Sequence, residues 1–294
     1  MDIQTYKRSI KKRDWSWLRV LLLIIPYFIT VGMFQFLGTY LVGVDIRTDL
    51  REQNLSAFQD FGISFFSFLG TILIIVVFRK YIDKSSFVSL GFTIKNRTKD
   101  IALGIGLGFL TMSLGLLILV YLKEIKITEF TFNGLDFFYC ILLFVLVSIN
   151  EEVLMRGYIL SNFMLSFNKY IALFVTAFLF SLIHGANPSM SWFSFTSLFL
   201  AGILLGATYI YTKNLWFPIA LHFSWNFFQS IYGFKVSGQS TYSIFNLEIT
   251  QNNRWNGGDF GFEGSYLSLI AECLLIIGVF YYYRKKSVKG NEFQ

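Results

Sequence analysis

Eight runs of apolar residues, most of them long enough to cross a lipid bilayer, divide this sequence from one end to the other: residues 17–40, 61–78, 101–122, 135–158, 170–184, 192–211, 215–232 and 266–283. A helix needs about 20 apolar residues to cross the hydrocarbon core. Only the fifth run is short for a full span. Composition agrees: hydrophobic residues make up 54% of the chain and charged ones 15%, against about 25% charged in a globular domain. Such a chain has too little polar surface to cover itself in water. The expected fold is all-α, a polytopic bundle of about eight transmembrane helices forming one integral membrane domain over 1–294, with the bilayer as its main solvent. No internal repeat or second domain is visible.

The formal net charge is +7, and the basic residues sit in short clusters beside the apolar runs. Lys7, Arg8, Lys11, Lys12 and Arg13 precede the first run. Arg79, Lys80, Lys84, Lys95, Arg97 and Lys99 lie between the second and third, and Arg284, Lys285, Lys286 and Lys289 follow the last. Cytoplasmic connections carry excess Lys and Arg, so an even count places both termini in the cytoplasm, with 45–60 and 123–129 outside. This distribution reports topology and gives no reason to expect a nucleic-acid partner. The first apolar stretch, 17–44, is too long for a signal-peptide core of about 7–15 residues, and is expected to be an uncleaved membrane helix. Trp15, Trp17, Trp216 and the tyrosines at 281–283 suit interfacial anchoring. The outer connection 233–265 is rich in Asn, Gly and Ser and reads as a flexible surface loop.

Within the apolar runs, Gly104 with Gly108 and Gly202 with Gly206 are spaced to let helices approach closely. No strand precedes Gly104-x-Gly106-x-Gly108, so it is not a dinucleotide fingerprint. Cys140 and Cys273 each lie in an apolar run, far from any second ligand-type residue, and read as small packers.

The informative residues are those that a membrane span tolerates least. Insertion of a charge at a helix centre costs about 2.5 to 3.5 kcal/mol, yet the fourth run ends Ile149-Asn150-Glu151-Glu152-Val153-Leu154-Met155-Arg156. Arg156 shares a helix face with Glu152, four residues earlier. Glu151 points about 100° away and has no cation nearby in sequence. The chain has only two histidines, His184 and His222, both beside intramembrane apolar sequence, and Asn226 follows His222 by one turn. Such groups need partners in lipid, and one another and the glutamates are the available ones. A desolvated carboxylate can activate water, an imidazole can orient it, and a His with an amide one turn on can stabilise an oxyanion. Glu151, His184 and His222 are also a donor set that could hold zinc, although His-Glu-x-x-His is absent. No cofactor is firmly implied.

These residues resemble the CPBP family of intramembrane proteases, which includes CAAX prenyl proteases of the endoplasmic reticulum type and bacterial Abi proteins of bacteriocin processing and immunity. Glu151-Glu152-x-x-x-Arg156, Phe180-x-x-x-His184, Gly202-x-x-x-Gly206-x-x-Tyr209 and His222-x-x-x-Asn226 occur in the family's order within 135–228. The resemblance implies an all-helical fold with a membrane cavity. It implies Glu151 as general base with His184 holding the water, Glu152 as a supporting carboxylate paired with Arg156, and His222 with Asn226 at the oxyanion. Relatives have been described both as metalloproteases and as metal-independent glutamate peptidases, and the glutamate route is favoured here. The expected substrate is a membrane-associated peptide or protein. High Phe, Ile, Lys and Asn content suggests a bacterial plasma membrane, where a bacteriocin or signalling precursor is more plausible than a prenylated tail. A non-catalytic immunity or regulatory protein of the same fold and a transporter with a Glu/His proton relay are the alternatives, and Glu272, inside the last span, is unexplained by the peptidase reading. On these spans Glu151 lies near the inner end of its helix and His184 near the outer end of its own. Convergence therefore requires one segment to start deep, tilt or break.

Overall fold

The computed structural model describes residues 15–45 and 55–291, with side chains as far as Lys286. The basic cluster from Lys7 to Arg13, the side chain of Lys289 and residues 46–54 of the first outer connection lie outside the described residues. The elements in order are α1 (Ser16–Leu41), α2 (Ala57–Val77, prolonged by a π turn over Phe78–Ile82), α3 (Thr98–Tyr121), β1 (Ile125–Phe130), α4, α5 (Lys169–Ile183), α6 (Trp192–Thr212), α7 (Trp216–Ile231), β2 (Phe245–Ile249) and α8 (Tyr266–Asn291). Helix α4 runs Gly134–Glu152, continues as a π-helix over Val153–Leu160 and returns to α geometry over Ser161–Ser166.

All but α7 are long and apolar enough to cross a membrane, and the chain is a multi-pass membrane bundle of the expected all-helical class. α7 is the exception to the eight expected spans because its helix is only sixteen residues long, and thirteen of those sixteen are buried inside the protein. Glycines make that burial possible. A Cβ at Gly104 would stand 2.8 Å from Ala220 Cβ and from the Leu221 amide, and one at Gly108 would stand 2.7 Å from Ser224 Cβ. α3 and α7 therefore touch backbone to backbone. Gly202 holds α6 against α5 in the same way, 2.9 Å from Ala177 Cα.

Hydrogen bonds gather the basic connections at one end. Asp83 accepts from Arg19 at 3.1 Å and from Arg79 at 2.8 Å, joining α1 to α2. The Leu215 amide donates to Gly91 O at 3.0 Å, and Tyr211 stacks on Tyr283 at 4.4 Å. The opposite end carries the β1–β2 ribbon, in which Ile125 pairs with Ile249 and Phe130 with Phe245.

Two expectations need correction. The connection 233–265 is not a flexible surface loop but a packed cap containing β2, with Phe260, Phe262 and Glu263 buried. The fourth helix does not stop at Tyr158. The Asn162 side chain donates to Tyr158 O at 3.0 Å, which satisfies a polar group inside the helix, and α4 runs eight residues further, to Ser166. Asn168 then caps α5 by accepting from the Tyr170 amide, so the chain reverses within Phe167–Asn168.

Candidate active site

That reversal removes the difference in depth between Glu151 and His184. Glu151 lies fifteen residues before the end of α4 and His184 fifteen residues after the start of α5. At 1.5 Å per residue both stand about 22 Å from the shared turn. α7 keeps the same register. A Cβ at Gly157 would contact Leu215 at 3.4 Å, and from that level Glu151 is six residues along α4 and His222 seven along the start of α7, about 9 and 10.5 Å.

The π-helical stretch begins immediately after Glu152, and all eight of its residues are buried. Such departures from α geometry are often found at functional sites. Arg156, within it, donates through Nη1 to Glu152 Oε1 at 2.8 Å and through Nη2 to Gly202 O at 3.1 Å. Its guanidinium carbon lies 4.8 Å from the Phe180 ring centre. Glu152 Oε1 also lies 2.9 Å from His222 Nδ1, so that nitrogen carries its proton toward the carboxylate. A line of charge, Arg156–Glu152–His222, thus crosses from α4 to α7 with both ends of the ion pair excluded from solvent.

His222 presents its other nitrogen, Nε2, to Glu151 Oε2 at 3.9 Å. His184 does the same from the other side at 3.8 Å. Its Nδ1 lies 2.7 Å from Phe180 O, one of the carbonyls left open at the end of α5. Both rings therefore have Nδ1 engaged and Nε2 turned to the same carboxylate oxygen. Glu151 Oε2 accepts no hydrogen bond from the protein. The separations exceed a direct hydrogen bond and suit a shared water. Asn226, one turn after His222 and buried, lines the same space. All six residues singled out from the sequence, Glu151, Glu152, Arg156, His184, His222 and Asn226, thus belong to one connected cluster.

Glu151, His184 and His222 are donors of the type that zinc takes. Tetrahedral zinc with ligand bonds of about 2.0–2.1 Å separates its donors by roughly 3.4 Å. The two Glu151–histidine separations are each wider than that, and no group of three His, Cys, Asp or Glu among the described residues has metal-holding geometry.

The cluster faces a cavity of roughly 200 Å³ that no Lys or Arg lines. Sequence reasoning missed part of its wall. Asp60 and Ser64 come from α2, Asn187 from the end of α5, and Ser237, Gln239 and Glu263 from the cap. The cavity thus borders the end of the bundle opposite the basic one. Glu263 gave no sequence signal because an acid in a polar connection looks solvated. It is buried instead, accepting from the Ser237 amide at 2.7 Å and hydroxyl at 2.8 Å. Burial pushes its carboxyl up from the ordinary value, and the Ser237 donors and the nearby His184 oppose that push. Glu272, unexplained by the sequence, also lines the cavity and accepts from Ser197 and Ser268.

No curated protein matches the chain. A family model does match, over residues 133–228, a segment that holds all six cluster residues and stops short of Glu263 and Glu272. Its description is type II CAAX prenyl endopeptidase, Rce1-like, so about the middle third of this multi-pass chain is similar to that family.

Proposed function

We propose that this protein is an intramembrane endopeptidase in which Glu151 activates water against a peptide bond of a membrane-associated peptide or protein. The observation that carries the proposal is the pair of imidazole Nε2 atoms on either side of one carboxylate oxygen that has no protein donor.

The water's oxygen attacks the scissile carbonyl carbon while Glu151 takes one of its protons. His184 is a suitable holder of that water: its Nδ1–H is committed to Phe180 O, leaving Nε2 as an acceptor in the neutral ring. The carbonyl oxygen becomes an oxyanion. Asn226 can donate to it through its amide, and His222 through Nε2–H when the ring is an imidazolium. Glu152 stands behind that imidazolium as a counter-charge, and Arg156 holds Glu152 in place. Collapse of the intermediate breaks the C–N bond, and the proton held by Glu151 passes to the departing amine. Every proton is accounted for by the side chains and the water. Positive-inside bias supports a cell-membrane orientation with the basic end cytoplasmic.

The test is Glu151→Gln in the full chain, reconstituted with a membrane peptide. Removal of a general base is expected to lower kcat by about 10²–10⁴-fold. The fold should be retained, because Glu151 Oε2 accepts nothing from the protein. Undiminished cleavage by a folded variant would overturn the assignment.

A further inference from the structure

At the basic end, outside the matched domain for most of its length, α8 stands away from α3 and leaves a groove of roughly 510 Å³. Its rim carries Arg97, Lys99 and Lys286, and its wall is apolar, with Leu103, Leu107 and Leu275 among its residues. We propose that this groove binds one anionic phospholipid, with the phosphate held at Arg97, Lys99 and Lys286 and one acyl chain lying against Leu103, Leu107 and Leu275.

Four independent observations converge on that occupant. First, the rim is cationic beyond what the protein neutralises. Arg97 pairs with Asp100 at 2.9 Å, while among the described residues Lys99 and Lys286 have no acidic partner. Second, the rim sits on the amino-terminal end of α3, whose first turn also carries Asp100, already paired with Arg97; the free amides and dipole of that end favour an anion. Third, the depth is right. From Arg97 to Leu107 is ten residues, about 15 Å along the helix, and half of a hydrocarbon core of about 30 Å is one leaflet. In the orientation proposed above, the basic end also faces the leaflet that carries anionic lipid. Fourth, a polar atom is left open toward the groove. Thr208 lines it and is only 5% exposed, and its Oγ1 has no hydrogen-bond partner. A helical threonine ordinarily back-bonds the carbonyl four residues earlier, as Thr176 and Thr212 do here. Thr208 keeps its hydroxyl for a partner the chain does not supply, and a lipid ester oxygen would fill that role. Gly278 adds room, since a Cβ there would meet nothing within 4 Å.

The experiment uses the full chain in neutral detergent, titrated with phosphatidylglycerol or with phosphatidylcholine of the same acyl chains. Bound lipid is counted by native mass spectrometry, with inorganic phosphate as a third arm. One phosphatidylglycerol is expected to be retained in preference to phosphatidylcholine. Lys99→Glu/Lys286→Glu, at exposed positions that leave the Arg97–Asp100 pair intact, should weaken phosphatidylglycerol roughly thirtyfold and leave phosphatidylcholine unchanged. Gly278→Leu fills the acyl groove and should reduce retention of both lipids. Equal retention of the two lipids, indifference to the charge reversal, or phosphate binding with the same lysine dependence as the lipid would each overturn the proposal.

Discussion

Arg156 and Glu152 offer the sharpest energetic test, because both side chains are almost completely excluded from solvent, at 1% and 0% exposure. Arg156 satisfies Glu152 Oε1 at 2.8 Å, and Glu152 Oε2 has no protein partner. Arg156→Met keeps an unbranched stem beside Phe180 but leaves the carboxylate with His222 alone. Loss of one partner of a buried pair costs about 3–5 kcal/mol. Glu152→Gln keeps an acceptor for His222 Nδ1 while leaving the guanidinium without its anion, and about 3 kcal/mol is expected. The double variant strands no charge, so it should cost no more than either single change. The coupling energy is then at least about 3 kcal/mol, the upper end of the range for residues in contact. Equilibrium unfolding in mixed SDS micelles, followed by tryptophan fluorescence, measures all four corners of the cycle. Additive losses, with the double variant down by about 6–8 kcal/mol, would show that the pair is not coupled and refute the Arg156–Glu152 link in the line of charge.

Three further outcomes are expected. If Glu151 is the base and no metal takes part, cleavage by the purified protein should survive a strong chelator; loss of activity that zinc restores would return Glu151, His184 and His222 to the role of ligands. Gly104→Leu drives a side chain into the α7 backbone, 2.8 Å from the Leu221 amide even at Cβ, and should lower stability by about 1–3 kcal/mol or more, read by the same unfolding assay. Glu263 should make stability pH-dependent: its folded pKa is raised by burial, so ionisation is disfavoured in the folded state and stability falls as pH climbs above the ordinary carboxylate value. The wild-type minus Glu263→Gln difference isolates that slope, and an unchanged difference across the range would argue against the burial.

The bundle and the pairings within a helix were legible because they depend on local sequence. The i, i+4 spacing of Glu152 and Arg156 became a 2.8 Å contact, and the Gly104–Gly108 and Gly202–Gly206 pairs became close helix approaches. What depended on side chains answering distant carbonyls or amides was not legible. Ser161 and Asn162 look like the start of a loop, yet both bond Tyr158 O within their own helix. The cap looked mobile because its polar residues suggest solvation. In the folded chain Glu124, more than a hundred residues away, accepts from Asn253 at 2.7 Å and from Asn256 at 3.1 Å. No local pattern announces such a partner, so Glu263 could not be placed from sequence.

The distribution of unmet polar atoms separates a structural reading of the cluster from a functional one. Seven buried side-chain atoms lack a hydrogen-bond partner among the described residues, and five belong to Asn150, Glu151, Glu152, Arg156 and Tyr158. Each such atom costs about 1–3 kcal/mol if it stays unmet. A cluster present only to lock helices together would have its polar groups satisfied, since that is where its stability would come from. Here the unmet atoms concentrate on two turns of one helix, where it leaves α geometry, and Glu151 among them borders the cavity. Conflicts of this kind persist at sites that act on something else. The acceptor on Glu151 is the one whose neighbours are two imidazole nitrogens and open space, and a water or a substrate carbonyl would meet it there at no cost to the packing around it.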